Sequence, residues 1–366
     1  MKSLKQLKTK LPETVKLEKN KVYIIDQVLL PDKLKFIELK NYQQAILAIK
    51  EFNVRGAQAI GAVGAAGLYL ASKKYFKKDK NEFVKYLKKT GKEIIKARPT
   101  ASNLSWAINY LIDNLDNSSV LNIKKSILKN YQDILKTEVE NNLKIGKFGE
   151  KLIKKNYKIL THCNAGSLSA IWFGTATAPI YSAWLKNKNP FVLIDETRPW
   201  LQGSRLTAWE MKQVGIDYQI NIDSAVGYLM SKKLVDIIIV GADRIAKNGD
   251  VANKIGTYPL ALMAKEHKIP FYVAAVKSTI DFKCRSGSDI KIEERAPEEI
   301  LKHTSYWENK NLAKKKTKSF DPLLEIAPKG SQAFNPVFDI TPAKLISAII
   351  TEEGIIEAKK IRNLNN

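Results

Sequence analysis

The second half of the chain alternates apolar runs with helical segments, and this alternation constrains the fold more than any other feature. The runs are YKILTH (157–162), FVLIDE (191–196), DYQIN (217–221), DIIIVGAD (236–243) and PFYVAA (270–275). Apolar periodicity predicts helices between them, at 166–186, 204–214, 223–233 and 256–267. Unbroken apolar runs are typical of strands buried on both faces. We therefore expect a doubly wound parallel α/β domain over residues 156–366.

The first half has a different pattern, which predicts a smaller, mainly helical domain over residues 1–155. VYIID (22–26) and LKFIEL (34–39) read as short strands separated by the turn-prone Pro31–Asp32. From about Asn41 to Lys155 the apolar residues recur at helical spacing. Gly61, Gly64 and Gly67 lie inside one of these helices with no strand before them, which favours close helix packing over a dinucleotide-binding loop.

Two further expectations concern the C-terminal part of the chain. Residues 302–329 are Lys-rich and aperiodic, with KKKTK at 314–318, which predicts a mobile surface loop. After it, Thr341–Pro342 has the residue types of a helix cap and first helical position, so a helix is expected from there.

The composition limits the possible partners. The net charge is +24, and most of the 61 basic residues are lysines. The Gly-rich central stretches are nearly neutral. This favours a lysine-covered surface over a nucleic-acid groove. We expect duplex DNA or RNA to bind only weakly and to be released by salt; a mobility-shift assay at physiological salt checks this, and tight, sequence-selective binding would contradict it.

The same composition predicts a cytoplasmic protein with no membrane partner. No run of about 18 apolar residues suggests a membrane span, and the N-terminal residues lack the apolar core of a secretory signal. The two cysteines, Cys163 and Cys284, form no disulfide framework and fit a reducing compartment.

Polar residues collect where three of the predicted strands end. The sets are 162–166 (HCNAG), 195–199 with 202–205 (DETRP and QGSR), and 241–244 with 248–250 and 253–254 (GADR, NGD and NK). The carboxyl ends of parallel strands meet at one sheet edge, so these sets should converge. Five of the arginines, Arg55, Arg98, Arg198, Arg205 and Arg244, fall in these sets or at predicted helix starts. In a chain that otherwise uses lysine, arginine indicates a need for a planar fork toward carboxylate or phosphate.

Cys163 and Asp243 are the candidate reacting groups. Cys163 precedes a predicted helix that opens with Asn164, Ala165 and Gly166, whose free N–H groups would favour a thiolate or a ligand phosphate. An inert buried cysteine is the ordinary alternative, but the position at a strand end opposite Asp243 favours reactivity. Asp243 could instead be a helix cap or a structural ion-pair partner. Together, a thiol and an acid suit proton transfer on opposite sides of a small substrate.

Other residues are candidates for binding or for structure. Arg55-Gly56-Ala57 and Arg98 each precede a predicted helix, and either arginine could clamp a phosphate or be structural. His162 adjoins Cys163 on a strand, so the two side chains should point to opposite faces, and His162 is interpreted as structural. Three widely spaced histidines and no CxxC motif speak against a zinc site.

Seven segments resemble those of the methylthioribose-1-phosphate isomerases. They are VRGAQAIG, RPTASNLSWA, LTHCNAG, DETRPWLQGSRLTAWEM, VGADRIAKNGDVANKIGTY, IEERAPEE and FNPVFDITPAKLISAIITEEG. The resemblance extends from about Asp26 to Gly354 and implies an aldose–ketose isomerase of methionine salvage, built as a helical and a Rossmann-like domain and acting as a homodimer without metal or cofactor. The reaction converts S-methyl-5-thioribose 1-phosphate to S-methyl-5-thioribulose 1-phosphate.

The resemblance also assigns roles to residues of this chain. It implies Cys163 and Asp243 as catalytic residues, and the substrate-binding positions are Arg55, Gly56, Ala57, Arg98, Gln202, Asn253 and Lys254. Gln58 stands where the family usually has proline, and 302–329 resembles an insertion. Two alternatives stay open: an isomerase of 5-deoxyribose 1-phosphate or ribose 1,5-bisphosphate on the same scaffold, and a non-catalytic regulatory subunit of the translation-initiation exchange factor. An intact thiol–acid pair argues against the second.

Overall fold

The structure is a computed structural model that describes residues 2–303 and 324–365. The helices are α1 (Leu4–Lys10), α2 (Tyr42–Lys50), α3 (Ala57–Lys73), α4 (Lys80–Ile95), α5 (Ser102–Asp113), α6 (Val120–Gly149), α7 (Thr177–Leu185), α8 (Ala208–Val214), α9 (Val226–Ser231), α10 (Thr257–Glu266) and α11 (Glu298–Leu301). Short 3-10 turns connect several of them, and a π-helical turn, Gly203–Thr207, leads into α8.

The strands form four sheets. They are β1 (Val15–Glu18), β2 (Lys21–Ile25), β3 (Phe36–Leu39), β4 (Lys158–Thr161), β5 (Phe191–Asp195), β6 (Tyr218–Asn221), β7 (Ile237–Val240), β8 (Arg244–Ala246), β9 (Val251–Lys254), β10 (Phe271–Ala274), β11 (Ile280–Asp281), β12 (Lys302–His303), β13 (Leu324–Glu325), β14 (Phe338–Thr341), β15 (Ala348–Thr351) and β16 (Gly354–Ile356). The three sheets besides the main one are β1-β2-β3, β11-β8-β9-β14 and the pair β12-β13.

The main sheet has the order β16-β15-β10-β7-β4-β5-β6, and β16 is its antiparallel strand. The next two strands along the chain, β5 and β6, lie on one side of β4, and the later strands β7, β10 and β15 lie on its other side. The expected doubly wound α/β fold is therefore confirmed. The reversal lies between β4 and β7, where such sheets open a crevice at their carboxyl edge.

The helices between residues 42 and 149 pack around α3, whose small residues allow close contact. Asn41 caps α2 as its Oδ1 accepts a hydrogen bond from the Gln44 N–H (2.9 Å). A Cβ at Gly61 would lie 2.9 Å from the carbonyl oxygen of Asn103, and one at Gly64 would collide with Leu104. The two glycines thus bring α3 against α5, which is the close helix packing that the sequence indicated.

Two helix predictions were wrong. The helix expected over 166–186 is a 3-10 turn, Ser167–Ser169, then irregular backbone, and α7 begins only at Thr177. The helix expected after Thr341–Pro342 is a 3-10 turn followed by β15, which pairs in parallel with β10. All four β15 residues are buried, so this apolar segment gains more by entering the sheet than by forming a helix.

The second sheet, β11-β8-β9-β14, was not predicted. Its strands are short and interrupted by polar residues, so they lack the apolar run that marked the main sheet. This sheet directs Asn253 and Lys254, at the end of β9, toward the edge where β4 and β7 end, because β9 pairs with β14 and β8.

The expected surface loop over 302–329 falls mostly on residues 304–323, which lie outside the described residues. At its borders β12 pairs antiparallel with β13. In the described ranges, no helix is long and apolar enough to cross a membrane.

Candidate active site

A pocket opens at the crevice between β4 and β7. All nine residues named from the sequence line it: Arg55, Gly56, Ala57, Arg98, Cys163, Gln202, Asp243, Asn253 and Lys254. Cys163 follows β4 and Asp243 follows β7, so the reversal of strand order brings the thiol and the acid to one cavity. Arg55 and Arg98 enter from the helical half of the chain.

Cys163 is held in a left-handed backbone conformation, with φ of 68°. Its N–H donates to the hydroxyl of Thr197 (2.8 Å), and its carbonyl accepts a hydrogen bond from Thr207 (2.7 Å). A positive φ is costly for a residue with a side chain and persists where the surroundings over-determine it. The two threonines supply that constraint and fix the direction of the thiol.

Of the backbone N–H groups after Cys163, that of Asn164 favours the Cys163 thiolate, whereas those of Ser167 and Leu168 are taken by another acceptor. The fully buried carboxylate of Glu210 accepts hydrogen bonds from the N–H groups of Ser167 and Leu168 and from the Asn164 amide, each at 2.9 Å. No α-helix starts at Gly166, so the expected helix N-terminus for a thiolate or phosphate is absent there. Glu210 has instead satisfied these donors, which would otherwise be buried and unpaired.

The start of α3 is a candidate anion site. Gly56 caps α3 with φ of 87°, and a Cβ at this position would collide with Ser169. Glycine is therefore required at the point where the chain turns from Arg55 into the helix. The first N–H groups of α3 lie beside the pocket, where the helix terminus favours negative charge.

Arg55 and Arg98 are buried cations with unused donors. The Arg55 guanidinium lies between the rings of Phe52 (4.4 Å) and Trp200 (4.2 Å). Its Nη2 is buried and finds no hydrogen-bond partner among the described residues, and the buried Nε of Arg98 has only the Glu293 carboxylate nearby, at 3.7 Å. Burial and the charge of neighbouring arginines lower the pKa of both guanidiniums. Such donors are costly unless an anion completes them.

Arg295 is a pocket residue that the sequence reasoning did not single out. Its guanidinium packs on Phe52 at 4.1 Å, and its Nε donates to Glu293 (3.2 Å). Glu293 also lies 3.7 Å from Arg98 Nε, so one carboxylate orients two cations. The only sequence signal was the IEERAPEE segment, which carries no spacing that ties it to the strand ends.

The other three arginines of the predicted sets have structural partners. Arg198 donates to the carbonyls of Pro199 and Ile300, Arg205 to those of Val28 and Leu30, and Arg244 to that of Thr100. These three arginines therefore donate to backbone carbonyls, and Arg244 also lies 3.7 Å from the Asp281 carboxylate.

Cys163, Asp243 and Lys254 influence one another electrostatically. Burial raises the pKa of the Asp243 carboxyl, with Lys254 and Arg98 opposing the rise. Burial also raises the pKa of the Cys163 thiol, against the charge of Lys254. Desolvation lowers the pKa of Lys254 to about 8, although Cys163 and Asp243 favour its charged form. The pocket thus has a carboxyl and a thiol whose pKa values are raised by burial, beside a lysine whose pKa is lowered to about 8.

Gln202 and Lys254 complete the polar lining. The side-chain oxygen of Gln202 is buried without a partner among the described residues, which leaves an acceptor for a ligand hydroxyl. Lys254 Nζ donates to the Val337 carbonyl (2.9 Å), which holds the ammonium inside the pocket. The site can therefore bind an anion, accept a hydroxyl and move protons between an acid and a thiol.

His162 points away from this pocket, as expected for a neighbour of Cys163 along the chain. Its Nδ1 lies 3.0 Å from Asp195 Oδ2 and its Nε2 lies 2.9 Å from the Ile255 carbonyl oxygen. His162, Asp195 and Asp223 bring ligand atoms within 4.8 Å of one another. Both ring nitrogens of His162 are already engaged, so a hydrogen-bonded pair describes the group better than a metal centre.

Known proteins share both the sequence and the fold. The profile of the initiation factor 2 subunit family matches residues 53–358. A methylthioribose-1-phosphate isomerase from Acetivibrio thermocellus is 47% identical over 91% of this chain and 93% of its own length. This chain therefore belongs to the initiation factor 2 subunit family and, within it, to the methylthioribose-1-phosphate isomerases, which are aldose–ketose isomerases.

Two solved structures resemble this one closely. The 5-methylthioribose 1-phosphate isomerase from Pyrococcus horikoshii OT3 superposes with a TM-score of 0.85 at 39% identity, covering 99% of this chain and 97% of that one. A structure named as translation initiation factor eIF-2B, subunit delta, from A. fulgidus has a TM-score of 0.80, also at 39% identity, covering 95% and 96%. The fold is thus common to proteins named as enzymes and as initiation-factor subunits.

Proposed function

We propose that the chain converts S-methyl-5-thioribose 1-phosphate to S-methyl-5-thioribulose 1-phosphate, with Cys163 and Asp243 as its catalytic residues. The observation that carries the proposal is the buried thiol and carboxyl in one pocket with unpartnered guanidinium N–H groups. A binding subunit has no need of a thiol–acid pair, whereas an isomerase of a phosphorylated sugar needs a proton donor, a group at the moving hydrogen and an anion site.

Asp243 is assigned as the general acid. The substrate carries phosphate on its anomeric oxygen, so its ring cannot open to a free aldehyde. The ring oxygen must be protonated as its bond to C1 breaks, and a carboxyl whose pKa is raised by burial can hold that proton. Afterwards Asp243 is a carboxylate beside Lys254, whose ammonium stabilises it.

Cys163 is assigned to the transfer of hydrogen from C2 to C1. In one route the thiolate removes the C2 proton and a proton is then delivered to C1. In the other, hydride passes directly from C2 to C1 and the sulfur stabilises the charge that develops. In both routes the C2 hydroxyl gives up its proton as C2 becomes a carbonyl, and the Asp243 carboxylate takes it, which restores the acid. Running the reaction in D2O separates the routes, because only the first allows deuterium to appear at C1.

Arg55, Arg98 and the N-terminus of α3 are assigned to the phosphate, with Arg295 as a third guanidinium. The unused N–H groups of Arg55 and Arg98 match phosphate oxygens, and the forked donor favours a bidentate arrangement. Gln202 and Asn253 are then placed to contact sugar hydroxyls.

A turnover assay tests the proposal against its alternatives. Methylthioribose 1-phosphate, 5-deoxyribose 1-phosphate and ribose 1,5-bisphosphate are compared side by side, with kcat/KM expected to be highest for the first. A preference for the bisphosphate would move the function to a different sugar on the same scaffold. Binding of all three without turnover of any would contradict catalysis.

Anion binding should take up protons above pH 8. In the free protein the Lys254 pKa is about 8, so at pH 8.5 much of the amine is neutral. A bound dianion favours the ammonium and raises this pKa, so protons are taken from the buffer. Calorimetry of sulfate binding at pH 8.5, in buffers of different ionisation enthalpy, measures the uptake; sulfate does not itself titrate there.

Lys254→Met provides the comparison for this experiment. The substitution should abolish the buffer dependence while Arg55 and Arg98 still bind sulfate, only more weakly. Heats that are identical in all buffers for the unaltered protein would show that Lys254 does not sense the anion.

We also propose a homodimer in the cytoplasm, formed through the face that carries β6, α9 and α10. Large apolar side chains are exposed there: Ile220, Ile222, Tyr228, Tyr258, Leu262 and Met263. Since β6 is also an edge strand of the main sheet among the described residues, this face combines the outer edge of β6 with an apolar surface. Sedimentation velocity checks the dimer, and Tyr228→Glu should shift it toward monomer; a monomeric unaltered protein would contradict it.

A further inference from the structure

His162 links two backbone segments of the pocket, those of Cys163 and Lys254, although its own side chain lies outside the pocket. It directly precedes Cys163 in the chain, and its Nε2 lies 2.9 Å from the carbonyl oxygen of Ile255, which directly follows Lys254. A single buried ring thus joins the backbone that carries the thiol to the backbone that carries the ammonium. His162 is 2% exposed.

The turn at Gly256, next to the His162–Ile255 hydrogen bond, is closely packed. Gly256 has φ of 102°, and a Cβ there would lie 2.9 Å from the Cε1 atom of His162. The Gly256 N–H donates to Asp339 Oδ2 (2.8 Å), and the Tyr258 N–H donates to Asp339 Oδ1 (3.0 Å). The turn that follows Lys254 is therefore fixed by Asp339 on one side and lies against the histidine ring on the other.

The protonation of the ring follows from its partners. The Ile255 carbonyl only accepts hydrogen bonds, so Nε2 carries a proton. A second proton lies between Nδ1 and Asp195 Oδ2, which are 3.0 Å apart. Burial lowers the pKa of His162, but the hydrogen bond and charge of Asp195, together with Asp223, more than offset this and raise it. Asp195, Asp223 and Asp339 are the charged groups facing the ring.

We propose that His162, oriented by Asp195, is a positioning residue that sets Lys254 against Cys163. It does not face the pocket and so does not touch the substrate. Its hydrogen bond to Ile255 fixes how far the ammonium lies from the thiol and from Asp243. The proposal rests on the roles given above to Cys163 and Lys254.

Two substitutions of similar size test this. In His162→Gln the side-chain amide nitrogen can reach the place of Nε2 and keep the donor to Ile255, whereas in His162→Asn the shorter amide reaches only the place of Nδ1. A misplacement of about 1 Å can cost on the order of 10²-fold in rate. We expect kcat to fall roughly 10- to 100-fold in His162→Asn and much less in His162→Gln. KM should rise by a smaller factor than kcat falls, because Arg55 and Arg98 are unchanged and only the contribution of Lys254 to binding is altered.

The second readout does not need the isomerase reaction. Lys254 lies close enough to influence the Cys163 thiol, so the pH dependence of its alkylation by iodoacetamide, followed by mass spectrometry, should change in His162→Asn and not in His162→Gln. The exposed His267 supplies the control: His267→Asn should change neither readout. This assay distinguishes a failure of the present proposal from a failure of the proposed sugar substrate.

Asp195 variants test the same link if the histidine variants do not fold. Asp195→Asn can still donate to Nδ1 of a neutral ring and leave Nε2–H on Ile255, so it should keep most of kcat, whereas Asp195→Ala should behave as His162→Asn. Equal losses of kcat in His162→Asn and His162→Gln would overturn the proposal. So would a loss that disappears when kcat is divided by the fraction of protein whose Cys163 reacts with iodoacetamide. Either outcome indicates a role in stability alone.

Discussion

Cys163→Ser and Asp243→Asn should each lower kcat by about 10²- to 10⁴-fold, which is the usual worth of a group that transfers a proton in the transition state. The serine hydroxyl is much harder to ionise than the thiol, and the asparagine amide cannot protonate the leaving ring oxygen. Both changes leave the guanidiniums in place, so the substrate should still bind. Steady-state kinetics with calorimetry of binding separates the two effects.

The double variant tests whether the two groups act in one step. Groups that act as a unit lose far less together than the product of their single losses, so Cys163→Ser/Asp243→Asn should be little slower than the worse single variant. Cys284→Ser is the control, since Cys284 lies outside the pocket lining and packs with Ile290 and Ala252. Near-normal turnover of Cys163→Ser would refute the proposed mechanism while leaving the family assignment intact.

Arg55→Ala and Arg98→Ala should act on binding rather than on the chemical step. Hydrogen bonds to a charged group contribute about 1.5–3 kcal/mol, which corresponds to a rise in KM of roughly 10- to 150-fold. The phosphate is dianionic in both the ground state and the transition state, so kcat should change much less. Kinetics and sulfate affinity measure both quantities.

Arg285→Ala is the matched control for this experiment. The Arg285 side chain is 87% exposed and pairs only with Asp289 among the partners described for it, so its removal takes away one positive charge without touching the pocket. A similar rise in KM in this variant would mean that the net positive charge attracts the substrate and that the buried guanidinium groups of Arg55 and Arg98 do not bind it. A fall in kcat alone in Arg98→Ala would reassign Arg98 to the chemistry.

Local patterns were sufficient for five strands of the main sheet, β4, β5, β6, β7 and β10, and for the meeting of their ends. Unbroken apolar runs mark strands that are buried on both faces, and parallel strands deliver their carboxyl ends to one edge. From this alone Cys163 and Asp243 could be placed at the same crevice. The roles of the substrate-binding residues came from the resemblance to a family, because spacing along the chain does not connect residue 55 with residue 254.

Other features depend on partners that are distant in the chain. The segment after Cys163 has helix-forming residues, but Glu210, more than 40 positions later, takes its N–H groups and keeps it irregular. The sequence of the β15 segment predicts a helix, but in the fold this segment pairs with β10 and forms a strand. In both cases a tertiary interaction outweighs local propensity.

The amino-acid sequence by itself determined the α/β architecture, the edge that carries chemistry and the residue types of the reacting pair, because these follow from periodicity and from the ends of strands. Only the tertiary structure decided that Arg295 belongs to the pocket, that Arg198, Arg205 and Arg244 bind backbone carbonyls, and that His162 joins the Cys163 and Lys254 segments. Those outcomes depend on which side chains remain without a partner after packing, and a linear pattern does not contain that information.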